Sequence, residues 1–85
     1  EWISRPQGQT LAVKPTMHGR LYAWTNAAGA YNEAMEKADI NGSPSFYYQF
    51  ACHAIPPIAF KETWNLDEWR TGESMTETIL SRCNP

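Results

Sequence analysis

A chain of 85 residues makes one domain, residues 1–85, and buries only about 60% or slightly more of the surface its unfolded form exposes, so its stability is marginal without a staple. Hydrophobic residues at 42%, charged residues at 19%, and four Trp, four Tyr and three Phe exclude a disordered chain. A net charge of −2 with seven Lys and Arg scattered singly leaves no basic stripe to neutralise phosphates or hold an anionic membrane, so no nucleic acid is expected as partner.

In chain order, "TLAVKP" alternates, with Leu11 and Val13 on one side and Thr10, Ala12 and Lys14 on the other, as a half-buried strand requires. "RPQG" before it reads as a turn, so Trp2 and Ile3 are expected to pair with residues 11–14 in a hairpin. "RLYAW" is a third strand or the start of a helix. From Thr25 or Asn26 the period changes: Ala27, Tyr31, Ala34, Met35 and Ala38 fall at helical spacing, which predicts a helix to about Asp39. "NGSP" then breaks the chain, with Gly42 leaving that helix, Ser43 capping the next and Pro44 in its first turn. This second helix covers about residues 44–54 and is the central one, its stripe being Phe46, Tyr47, Phe50, Ala51 and Ala54.

"IPPIAFKET" is expected to be extended, because each proline pushes the residue before it out of helical geometry. A one-turn helix over residues 66–70, with Asn65 as cap and Glu68 three residues on, follows. In the last helix "SMTE" is a capping box, and Met75, Ile79 and Cys83 fall at four-residue steps on a face expected to look inward. The fold class is therefore α+β: a short N-terminal hairpin or small antiparallel sheet packed on about three helices.

Cys52 and Cys83 stand 31 positions apart, too far for a redox pair, and two Cys with two His lack zinc spacing, so no metal or cofactor is expected. One disulfide is the economical reading, with the last helix aiming Cys83 at the body of the protein; two buried free thiols are the alternative. A disulfide would place the chain in an oxidising compartment. No apolar run reaches the roughly 20 residues that span a bilayer, so a soluble mature chain without a membrane span is expected. The beginning of the chain carries no signal-like region, as in a cytosolic protein or one already freed of a secretion signal.

No residue pair carries a recognisable catalytic pattern, and no catalysis is expected. His53 follows Cys52, but adjacent helical residues point about 100° apart, and a disulfide would remove the nucleophile. Bonding of His53 to backbone or a carboxylate is the plainer reading. His18 sits in a loop with no acid near it in sequence. Asp67 and Glu68, read as a glycosidase pair, would splay apart; cap and solvated charge fit better. Arg70 can stack on Trp69 or Trp64 and still fork onto a carboxylate. Trp2, Trp24 and Trp64 are expected in the core and Trp69 partly exposed. The candidate binding surface is thus Trp69, Arg70, His53 and Trp64, and a candidate exposed loop is Lys14, Pro15, Thr16, Met17 and His18.

"QFACHA", "WNLDEWR" and the closing "CNP" come in an order that resembles a family of small secreted actinobacterial proteins catalogued as a domain of unknown function. The similarity extends more loosely to "WISRPQGQTLAVKPTMHGR". It departs at the Pro-rich "IPPIAF" and at Thr71, where the family often has Pro. The resemblance implies a signal-peptide precursor, a Cys52–Cys83 disulfide and an extracellular location, and no activity. The resulting expectation is a secreted, disulfide-stapled domain that binds a protein or cell-envelope component. The alternatives are a bacteriocin-like antibacterial effector and a protease inhibitor using residues 14–20.

Overall fold

A computed structural model describes residues 1–70 and 74–83 of the chain. Strands β1 (Trp2–Arg5) and β2 (Gly8–Val13) form the expected antiparallel hairpin, but with Trp2 opposite Leu11, Ile3 opposite Thr10 and Arg5 opposite Gly8, so β1 pairs with residues 8–11 rather than 11–14 because the tight turn at Pro6 and Gln7 fixes the register. A third strand, β3 (Trp64–Asp67), pairs with the far side of β2, Thr10 opposite Asp67 and Val13 opposite Trp64, so the sheet order is β1-β2-β3. Four α-helices are described: α1 (Met17–Thr25), α2 (Ala27–Ala38), α3 (Pro44–His53) and α4 (Met75–Leu80), with a 3-10 turn at Ile58–Phe60. The α+β class is as the sequence indicates.

"RLYAW" is helical. Thr16 accepts a bond from the Gly19 N–H and starts α1, which absorbs Met17 and His18 into its first turn. The expected exposed loop is therefore confined to Lys14, Pro15 and Thr16. Asn26 ends α1 and caps α2 through the Gly29 N–H. At the other end of α2, Asp39 rather than Gly42 takes the left-handed conformation (φ 57°) that stops the helix. Gly42 has a packing role instead: a Cβ built there would overlap the Tyr31 hydroxyl. Ser43 caps α3 and Pro44 opens it, as the "NGSP" break requires.

Two expected elements are corrected. Residues 64–67 form a strand, not a helical turn, because Trp64 and Leu66 alternate onto the core face and their backbones find partners on β2. The "IPPIAF" segment is not extended throughout: the proline constraint acts on the preceding residue, and past Pro57 the chain closes a 3-10 turn through Phe60 N–H to Pro57 O and Lys61 N–H to Ile58 O.

The core joins Leu11, Trp64 and Leu66 of the sheet to Phe46 and Phe50 of α3 and to Tyr31 and Met35 of α2. Phe50 meets Trp64 edge-on, centroids 5.4 Å apart and planes at 78°. Helix α4 begins at the expected box, the Ser74 hydroxyl accepting from the Glu77 N–H. It ends at Leu80, and Arg82 and Cys83 turn left-handed (φ 56° and 71°). The expected inward face therefore fails at Ile79, which is half exposed, while Thr78 is buried. Cys83 is still buried and is bonded to Cys52, with Cα atoms 5.4 Å apart.

Candidate functional site

The motifs that stand out in the sequence converge on one buried polar cluster beside the disulfide. Gln49 on α3 is fully buried, and its amide reaches β3: Oε1 accepts from the Asp67 N–H at 2.8 Å, and Nε2 donates to the Asp67 carbonyl at 3.0 Å. The outer edge of β3 is thus satisfied by a side chain at that residue. The Asp67 carboxylate accepts from Thr10 Oγ1 at 2.6 Å and from Arg70 Nε at 2.9 Å, while Arg5 Nε donates to the same Thr10 hydroxyl at 3.0 Å. The Arg70 guanidinium also lies 5.4 Å over the Trp69 ring, so Arg70 clasps both the aromatic and the carboxylate. Glu68 accepts from the Gln9 N–H, a partner different from those of Asp67.

His53 bonds to the backbone. Its Nδ1 lies 2.7 Å from the Gln49 carbonyl oxygen and must be the protonated, donating nitrogen. The ring stacks near Trp64, centroids 6.3 Å apart. Burial pushes the imidazole below its ordinary pKa; the bond to Gln49 opposes this, the Lys61 charge adds to it and Asp67 opposes it. Cys52 is in the disulfide, so no thiol nucleophile stands beside this ring.

Of the four residues expected to form a binding surface, His53 and Trp64 are buried and take no part in one: α3 turns His53 inward, and Trp64, 1% exposed, sits on the core face of β3 with its indole N–H on the Ala59 carbonyl. Trp69 and Arg70 are half-buried at the margin of the cluster. Among the described residues, no three His, Cys, Asp or Glu are grouped to hold a metal ion, and no described helix is long and apolar enough to cross a membrane.

Large exposed apolar side chains lie elsewhere. Trp2 and Trp24, expected in the core, are 41% and 55% exposed. Trp2 lies at the sheet edge and covers Phe46 with one face, centroids 6.4 Å apart. Trp24 belongs to α1, where Met17 and Leu21 are 56% and 58% exposed. At 3.6 residues per turn these three positions fall within about 60° of one another, on the side roughly opposite Gly19 and Ala23, which face inward. Arg20, on the flank of that face, reaches across to the 3-10 segment: it donates to the carbonyls of Pro15, of Ala59 (Nε, 2.7 Å) and of Lys61 (Nη2, 3.0 Å). The backbone on either side of Phe60 is thus tied to Arg20 of α1, and the Phe60 side chain is 56% exposed. The spacing of Met17, Leu21 and Trp24 was the available signal, but "RLYAW" was open to a strand or a helix start, and the loop reading of "MHG" separated Met17 from the other two.

A cleft of about 390 Å³ opens on the other side of α1, between β2 and α2. Leu11, Val13, Phe50 and Trp64 line its apolar part, with Lys14 and Lys37 among its charged lining.

These features define a small disulfide-stapled α+β domain whose prominent sequence motifs build its frame. The chain belongs to the family described as "Protein of unknown function (DUF2599)", whose model matches residues 1–85. Comparison with curated proteins and with solved structures found no match in either set.

Proposed function

We propose that this domain is an exported binding module, working without catalysis, whose partner is a protein or a cell-envelope component, and that the face formed by α1 and the 3-10 turn is its contact surface. The observation that carries this reading is the exposure of Met17, Leu21, Trp24 and Phe60 together, on elements fixed to each other by Arg20. Exposed large apolar side chains gathered in one region of a small monomer mark interaction sites more often than chance, and Trp is prominent among residues that carry binding energy. The frame supports it: Asp67, Gln49 and Thr10 spend their polar side-chain atoms on internal bonds, as His53 does its Nδ1. The disulfide is consistent with an extracellular location, where such bonds persist.

The test is co-sedimentation of the purified, oxidised protein with an actinobacterial cell-envelope fraction. Wild type should pellet with the fraction, and Leu21→Ser/Trp24→Ser should remain in solution with an unchanged melting temperature. Equal pelleting of both proteins, or of neither, contradicts the assignment of this face.

A further inference from the structure

The two outer edges of the sheet differ. Gln49 satisfies the β3 edge at Asp67, whereas among the described residues nothing bonds to the outer edge of β1. The pairing inside the hairpin decides which groups lie on that open edge. Glu1 and Ala12 exchange both backbone bonds, Ala12 N–H to the Glu1 carbonyl at 2.7 Å and Glu1 N to the Ala12 carbonyl at 3.1 Å. Bonded and non-bonded pairs alternate along an antiparallel ladder, so Ile3 with Thr10 and Arg5 with Gly8 are the next bonded pairs. Trp2 and Ser4 therefore turn their N–H and C=O groups away from β2. Gln9, opposite Ser4, agrees: its carbonyl accepts from the Glu68 N–H on the β3 side. Trp2 and Ser4 are exposed, the register runs without a bulge, and β1 holds neither the Pro nor the Lys that blunts many edge strands.

We infer that this edge pairs with β1 of a second copy of the chain, antiparallel about a two-fold axis at Ile3, joining two three-stranded sheets into one continuous sheet. Parity and charge select this occupant and this register. The free backbone groups belong to the even-numbered residues, so an incoming β1 sets even opposite even. With the axis at Ile3, Trp2 falls opposite the partner's Ser4 and Ser4 opposite the partner's Trp2, each a doubly bonded pair. Half-buried Ile3 meets the partner's Ile3 in the closer, non-bonded pair between them. Glu1 then falls opposite the partner's Arg5, and Arg5 opposite the partner's Glu1. Neither charge is in an ion pair among the described residues, and Arg5, which spends its Nε on Thr10, keeps its Nη groups for a carboxylate. Trp2 lies on the same face as the partner's Ser4, whose small side chain leaves room for the indole. Moving the axis to Trp2 or to Ser4 loses both charge pairs. Charged ends that would repel many incoming strands are thus complementary to a second β1. This pairing holds whether or not the α1 face is a contact surface.

The test is sedimentation of the intact oxidised protein over a concentration series, with amide hydrogen exchange at both ends of the series. A contact this small makes a weak dimer, so the chain should be monomeric when dilute and pass to dimer as its concentration approaches roughly 1 mM. The Trp2 and Ser4 amides should then exchange about twofold or more slower, while those of Ile3 and Arg5, already bonded to β2, keep their rates. Ser4→Pro removes an N–H that β2 does not use and should abolish the dimer with the hairpin retained. Glu1→Lys should weaken the dimer roughly five- to tenfold, and Glu1→Lys/Arg5→Glu should restore it, a rescue that damage to the fold would not produce. A chain monomeric to about 1 mM overturns the proposal. So does a dimer that Glu1→Lys leaves unchanged, that forms equally with folded Ser4→Pro, or that Leu21→Ser/Trp24→Ser abolishes. Protection of Trp2 and Ser4 that requires the cell-envelope fraction also overturns it and gives the edge to a strand of another protein.

Discussion

The Gln49 side-chain amide meets the Asp67 peptide in both directions, accepting its N–H at 2.8 Å and donating to its carbonyl at 3.0 Å, as a neighbouring strand would. One glutamine on the central helix therefore closes part of the open edge of the sheet. Removing it leaves a buried N–H and a buried carbonyl to find other partners. Gln49→Leu, of similar size, should destabilise the fold by about 2–4 kcal/mol, each unsatisfied buried group costing about 1–3. Denaturant unfolding measures this, and a loss under about 0.5 kcal/mol would mean that the edge needs no such partner.

The disulfide closes a loop of 31 residues by sequence separation and ties the end of α3 to the segment after α4. In the chain-entropy model that constraint is worth about 3–4 kcal/mol. Cys52→Ser/Cys83→Ser should lower the denaturation midpoint accordingly, and reductant should have the same effect on wild type and none on the variant.

His53 sets a pH dependence. Its folded pKa lies below the ordinary value of about 6.5, so the unfolded chain binds its proton more readily and stability rises with pH across the interval between the two values. Above about 6.5 its ring is neutral in both states and the full contribution is present. As pH falls from about 7 towards 5 the melting temperature should drop, and His53→Gln should flatten that drop. An unchanged profile in the variant would assign the acid sensitivity to other groups.

Among the described residues the buried Tyr31 hydroxyl has no hydrogen-bond partner, and it packs against Gly42. Burial also raises its pKa. Tyr31→Phe should stabilise the protein by roughly 1 kcal/mol by removing an unsatisfied group. Gly42→Ala should destabilise wild type strongly and the Tyr31→Phe protein less, a coupling that a double-mutant cycle reads directly.

The parts of the fold set by local rules were legible in the sequence. The "RPQG" turn, the Ser43 and Ser74 caps and the apolar stripe of α3 depend on neighbours within four residues, and each stands where the spacing placed it. The parts set by distant partners were not. Residues 64–67 carry cap-like residues but become a strand because β2 offers them a ladder. Trp24 looks like core by size alone, yet the inward side of α1 is taken by Gly19 and Ala23, and the helix leaves Trp24 outside. The same limit governs the site. His53 and Trp64 drew notice as reactive or aromatic residues and serve the interior, whereas the α1 face emerges only once "MHGRLYAWT" is a single helix. The tie between α1 and the 3-10 segment depends on Arg20 bonding to residues 59 and 61, a contact across about 40 positions that no local pattern carries.

The most direct test of the division between a structural frame and a working face is oxidative footprinting of the native protein with and without the cell-envelope fraction. Met17 and Trp24 should become protected from labelling when the fraction is present, while Trp69 keeps its labelling rate and Trp64 stays unreactive in both states. Protection at Trp69, with Met17 and Trp24 unchanged, would move the contact surface to the margin of the Asp67–Arg70 clasp and contradict the account.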